Sequence, residues 1–150
     1  LRFATPVLDS DTVVAGHIDM ELYVSTDALD TDFVVKLVDI YPDGYEALIL
    51  DYPIRARFRD GQNAEDVKLM TPGAVEKLNI NLWSTAQTFE KGHRIGVHIT
   101  SSNFPRFAVN PNNGAALDDV TAPATSAQNT IYFDSNRSSS IVLPVVTGGF

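Results

Sequence analysis

Alternation of apolar and polar residues with period two, stopped by turn residues and restarted along the whole chain, constrains this sequence more than any other feature. From Val14 to Val24, the residues Val14, Gly16, Ile18, Met20, Leu22 and Val24 share one face, and Ala15, His17, Asp19, Glu21 and Tyr23 share the other. Successive strand side chains point to opposite faces, so the segment predicts a long strand with one buried side. Between Thr31 and Tyr41, Phe33, Val35 and Leu37 oppose Val34, Val38 and Ile40. Both faces are apolar there, which predicts a central strand covered on both sides and ended by the turn Pro42-Asp43-Gly44.

Tyr45 to Arg59 reads as the next strand. Its end alternates Ile54, Ala56 and Phe58 against Arg55, Arg57 and Arg59, predicting three guanidinium groups in a row on an outward face, and Pro53 predicts a bulge or an edge position. Asn63 to Val67 predicts a single helical turn. After Pro72-Gly73, Leu78, Ile80 and Leu82 oppose Asn79, Asn81 and Trp83, and then Ile95, Val97 and Ile99 oppose Arg94, His98 and Thr100. Thr130–Phe133 and Ser140–Val146 are the last expected strands. Asn103 to Asn129 keeps no period of either kind, and a connection of that length is functional, partner-contacting or disordered. Seven or eight strands with uneven loops and no repeat predict an all-β fold, a jelly-roll β-sandwich occupying residues 1–150 as one domain.

A chain of 150 residues with 44% apolar and 20% charged side chains has the composition of a globular domain. It is long enough to bury roughly two-thirds of the surface its unfolded form exposes. Without cysteine it can form neither disulfides nor thiolate sites, and its compartment stays open. No apolar run approaches the roughly 18 residues a membrane span needs, and Leu1-Arg2-Phe3-Ala4-Thr5-Pro6 lacks the pattern of a signal peptide. The net charge of −8 is carried by the first half, where residues 1–76 hold 15 acids and 6 bases. That surface repels phosphate backbones, so neither nucleic acid nor membrane is an expected partner, while an oligomer stays open.

The sequence predicts no catalytic, cofactor-binding or metal-binding residues. No Gly-x-Ser-x-Gly turn is present, and Ser101-Ser102 and Ser138-Ser139-Ser140 read as strand-end and turn residues. His93 and His98, five apart, fall on opposite faces of a strand and share no metal. His17 and Asp19 share a face, where a polar cross-strand arrangement is the expected role. Asp9, Asp11, Asp27, Asp30, Asp32 and Asp43 lie near strand ends and could hold a structural calcium, but none fits EF-hand spacing, and turn capping and solvation account for most of them. Trp83, the single tryptophan, falls outward. An exposed ring suits either a sugar-stacking platform or packing against another domain.

The most distinctive stretch runs Gly92-His93-Arg94-Ile95-Gly96-Val97-His98-Ile99-Thr100-Ser101-Ser102-Asn103-Phe104-Pro105-Arg106-Phe107, followed by Asn110 and by Asn112-Asn113-Gly114. It resembles the C-terminal domain of the Xaa-Pro dipeptidyl-peptidase and cocaine esterase (CocE/NonD) group of serine hydrolases. Asp30 to Gly44, Ile54 to Arg59 and Ser140 to Val146 extend the likeness over nearly the whole chain. The resemblance implies a jelly roll, related to galactose-binding-like sandwiches, that packs on an α/β-hydrolase domain and helps close its active-site cleft. It places the Ser, Asp and His of the triad in that other domain, outside this chain, so the chain alone is not expected to be an enzyme. Its parent would be a hydrolase of dipeptidyl-peptidase, esterase or acylase type. Ala108 and Val109 stand where an acidic–basic pair is common in the group.

Two rings, a rigid bend and a forked donor make Phe104, Pro105, Arg106 and Phe107, with Asn110 beyond them, the expected domain interface. Both rings could equally cap the sandwich core. Gly92 is expected in a tight turn, and His93 and Arg94 are expected to bond loop carbonyls. The alternative function is a free-standing carbohydrate-binding module using Trp83.

Overall fold

The computed structural model describes residues 1–119 and 121–147. Nine strands follow in chain order: β1 (Arg2–Ala4), β2 (Thr12–Thr26), β3 (Asp32–Ile40), β4 (Glu46–Arg55), β5 (Glu76–Phe89), β6 (Arg94–Thr100), β7 (Asn129–Asp134), β8 (Arg137–Ser138) and β9 (Ser140–Val142). Short 3-10 turns at Ala56–Phe58 and Ala64–Asp66 are the helical elements among the described residues. The strands form two antiparallel sheets, one ordered β1-β6-β3-β4 and the other β5-β2-β7-β8 with β9 also on β2. Among β1 to β7, β3 and β4 are the consecutive strands that stay within one sheet as neighbours. The chain otherwise crosses from layer to layer, as a jelly-roll sandwich requires.

The expected alternation decides what lies between the layers. Val14, Ile18, Met20, Leu22 and Val24 of β2, Leu78, Ile80 and Leu82 of β5, Phe33, Val35 and Leu37 of β3, and Ile95, Val97 and Ile99 of β6 make one core cluster. Each such side chain removed from water contributes about 1.5–3 kcal/mol. β2 is the spine of its sheet. It pairs with β5 from end to end, and its other edge meets β7, then β9, then Val145 opposite Val14. Pro144 interrupts the expected Ser140–Val146 strand, so β9 ends at Val142.

β3 lies centrally, between β6 and β4. Its outer-face residues Val34 and Val38 are as buried as its core face. Lys36, between them, donates from Nζ to Asn103 Oδ1 at 2.8 Å, which draws the long loop across that face. Pro53 sits in β4, the edge strand, where its missing N–H costs no ladder bond.

The arginine row is a correction. β4 stops at Arg55 and the chain turns through Ala56–Phe58, so Arg55, Arg57 and Arg59 do not line an outward face. Arg57 is buried against Asp30, Arg55 pairs with Asp32, and Arg59 reaches the carbonyls of Ala56 and Lys68. The buried carboxylates of Asp30, just before β3, and Asp32, at its start, bind the Arg57 and Arg55 guanidinium groups more strongly than open water does.

Candidate docking surface

Asp30 is wholly buried and gathers three donors: Arg57 Nε at 2.7 Å, the Arg57 backbone N–H at 3.0 Å and Asn110 Nδ2 at 3.0 Å. Asp32 takes both arms of Arg55, at 2.9 and 3.1 Å, and Asn110 Nδ2 at 2.7 Å. The pairing holds the Arg55 guanidinium above its ordinary pKa, through the hydrogen bond to Asp32 first. Arg57 also donates to the Ala115 carbonyl at 2.8 Å. The network therefore fastens the long loop, at Asn110 and Ala115, to the ends of β3 and β4. Asn110 is thereby separated from the other expected interface residues, because its side chain is spent inside the domain. Asp30 and Asp32 serve arginines, while Asp11, Asp27 and Asp43 accept backbone N–H groups. Among the described residues no three His, Asp or Glu side chains converge as metal ligands.

Upstream of Asn110 the same loop lies on the outer face of β3 and β4. Asn103 bridges Lys36 and Asp51, donating from Nδ2 to Asp51 Oδ2 at 2.7 Å. Arg106 meets the other Asp51 oxygen at 2.9 Å, and its guanidinium lies 5.5 Å from the centre of the Phe107 ring. Asp51 is nearly fully buried under these partners, yet the Arg106 side chain stays 62% exposed. Phe107 is half-buried and Phe104 is 73% exposed. Of the two rings, Phe107 packs down and Phe104 stands in solvent.

Phe107 and Arg106 roof one end of a groove of about 640 Å³ between β4 and β5, the edge strands of the two sheets. Leu48 to Pro53 form one wall and Leu82, Trp83 and Ser84 the other. Beyond Trp83 the groove continues past His17, Tyr52 and Asn81. Trp83 is 67% exposed and sits at φ 70°. Its position comes from a bulge: His17 pairs with Ser84 and Asp19 with Asn81, so Leu82 and Trp83 together oppose Ile18. The inward phase of β5 slips accordingly, from Leu78, Ile80 and Leu82 to Phe89.

His17 bonds across to β5 rather than to Asp19, with Nδ1 3.1 Å from Ser84 Oγ and Nε2 2.6 Å from Asn81 Nδ2. A serine, a histidine and an asparagine in line raise the question of nucleophilic catalysis. The hydrogen-bond directions answer it. Asn81 Oδ1 accepts from the Trp83 N–H at 2.7 Å, so its amide nitrogen faces and donates to His17 Nε2. Nε2 is then the lone-pair nitrogen and Nδ1 carries the proton toward Ser84, the reverse of what a base needs.

The other histidines are also structural. His93 Nδ1 lies 2.9 Å from buried Asp39, with its ring against Tyr41, so its partner is a carboxylate and not the expected loop carbonyl. Arg94 does reach a carbonyl, that of Thr5. His98 Nε2 is 3.3 Å from Glu46 Oε2 without a hydrogen bond, and burial pushes its pKa below 6.5.

A family model described as the X-Pro dipeptidyl-peptidase C-terminal non-catalytic domain matches residues 1–142. The chain belongs to that family. Cocaine esterase of Rhodococcus sp. is 35% identical over 147 residues, which are 97% of this chain and 25% of the esterase. An α-amino acid ester hydrolase of known structure superimposes with a TM-score of 0.89 at 30% identity, over 97% of this chain and 25% of that one. An aminopeptidase from a Thaumarchaeota archaeon gives 0.89 at 29%, over 98% of this chain and 26% of its own. The chain thus spans about a quarter of the length of these relatives. The family's domain is non-catalytic, as the resemblance implied, and occurs as part of larger hydrolases.

Proposed function

We propose that this chain is the accessory domain of a CocE/NonD or Xaa-Pro dipeptidyl-peptidase-like serine hydrolase, that it packs on an α/β-hydrolase domain, and that it narrows the mouth of that domain's active-site cleft. The supporting observation is an apolar, partly exposed margin on a domain whose family is described as non-catalytic. Leu48 and Trp83 stand in solvent along the groove between β4 and β5, Phe104 is exposed on the loop that supplies the groove's roof, and exposed apolar surface of this kind on a domain with its own complete core marks a contact surface. The loop segment Phe104, Pro105, Arg106 and Phe107 reaches this margin through Arg106, which Asp51 holds, and through Phe107. The parent would cleave an ester or amide bond with residues of the other domain, while this domain limits which leaving groups reach them.

The test compares two proteins. The 150-residue chain should hydrolyse neither p-nitrophenyl esters nor Xaa-Pro anilides, and the full-length parent should. Exchanging Phe104 and Phe107 for serine in the parent should change KM across leaving groups of different size more than it changes kcat on the smallest. Hydrolysis by the isolated chain, or identical kinetics in the doubly exchanged parent, would refute the reading.

A further inference from the structure

The accessory reading leaves unexplained why Trp83 stands outward at φ 70°. A bulky side chain in the left-handed region is strained, and an indole 67% exposed leaves apolar surface in water. The bulge is nonetheless held firmly. The Trp83 N–H donates to Asn81 Oδ1, Asn81 Nδ2 to His17 Nε2, and His17 Nδ1 to Ser84 Oγ, at 2.7, 2.6 and 3.1 Å. This relay fixes the bulge from both β2 and β5. Around the ring lie Tyr52, Leu48 and the Arg106–Phe107 roof, and Arg106 gives Asp51 one of its nitrogens while facing solvent with the rest.

Resting on the accessory reading, we infer that Trp83 is the anchor by which this domain docks on the catalytic part of its own polypeptide. Its socket there is apolar, with a carboxylate or backbone carbonyls placed to receive Arg106. Tryptophan and arginine in an apolar setting are the residue types that dominate interface energies. A free sugar is the weaker occupant, because the polar groups beside the ring already bond one another and leave few donors for hydroxyls. The matched region is 25% of the cocaine esterase, so a partner several times larger than this domain is tethered to it in such relatives. A tethered surface is present at high effective concentration, which favours it over a second copy.

Hydroxyl-radical footprinting of the intact polypeptide, read residue by residue, tests this. The expected result is loss of oxidation at Trp83 and Phe104, while Phe133, half-exposed at the other margin, stays reactive. Trp83→Ala should restore oxidation at Phe104, Trp83→Phe should not, and Asn81→Ala, which releases the relay, should restore it in part. A reactive Trp83 with protection elsewhere overturns the anchor and leaves the accessory reading standing. No protection anywhere removes both. Protection that fades on dilution points to a second copy, and an unchanged Phe104 in Trp83→Ala shows that Trp83 is not the anchor; either result overturns the inference.

Discussion

At the scale of single residues the molecule depends on buried charge that is fully paired. Asp30 has no contact with water and three donors. Arg57→Ala removes the charged one and leaves a carboxylate in low dielectric, which should lower unfolding stability by about 3–5 kcal/mol in urea denaturation. Replacing Asp30 and Arg57 together by leucine should cost clearly less. His98 shows the opposite device, a base kept neutral. Burial lowers its folded pKa below 6.5, and Arg2, Lys36 and the N-terminus act in the same direction against the pull of Glu46. As pH falls through 6.5 the unfolded chain binds the proton first, so stability falls with pH from there until the folded pKa is passed. His98→Gln should therefore narrow the difference between urea midpoints at about pH 7.5 and about pH 5.5. Neither arrangement could be read from alternation. Arg55, Arg57 and Arg59 keep period two through a 3-10 turn, and the carboxylates that hold Arg55 and Arg57 lie 23 and 27 residues away in sequence.

At the scale of elements, strands with one wet face were the most legible. β2 buries Val14, Ile18, Met20, Leu22 and Val24 as its pattern assigns, because one-sided burial leaves a strand no other register. The Trp83 bulge was written more faintly, as a phase slip between Leu82 and Phe89 that a continuous strand cannot contain. β1 and β8 are three and two residues long, too short to show any period. The bulge makes its own prediction. Alanine normally stabilises a strand relative to glycine by roughly 0.5–1 kcal/mol, but only where φ is negative. At φ 70° the order should reverse, with Trp83→Gly unfolding at higher urea than Trp83→Ala in the 150-residue chain. The usual order would mean that the bulge is not strained.

At the scale of the whole molecule the two margins of the sandwich differ. One is closed by Phe3 of β1 against Phe133 of β7, with ring centres 4.9 Å apart. The other is a groove between β4 and β5 with Leu48 and Trp83 in solvent, roofed by Arg106 and Phe107 of the loop that carries the exposed Phe104. The family likeness was legible in the motif from Gly92 to Phe107, whereas this asymmetry was not, because it arises from which edge strands end up side by side. On the proposed accessory role, it separates stability from docking. Phe104 is 73% exposed, so Phe104→Ser should leave the urea midpoint of the isolated chain within about 0.5 kcal/mol of its parent value. In the full-length protein the same exchange should uncouple this domain, which would then melt ahead of the rest in calorimetry instead of with it. Equal effects in both proteins would mean that Phe104 serves only its own core, and the open margin would then have to find its partner without the loop.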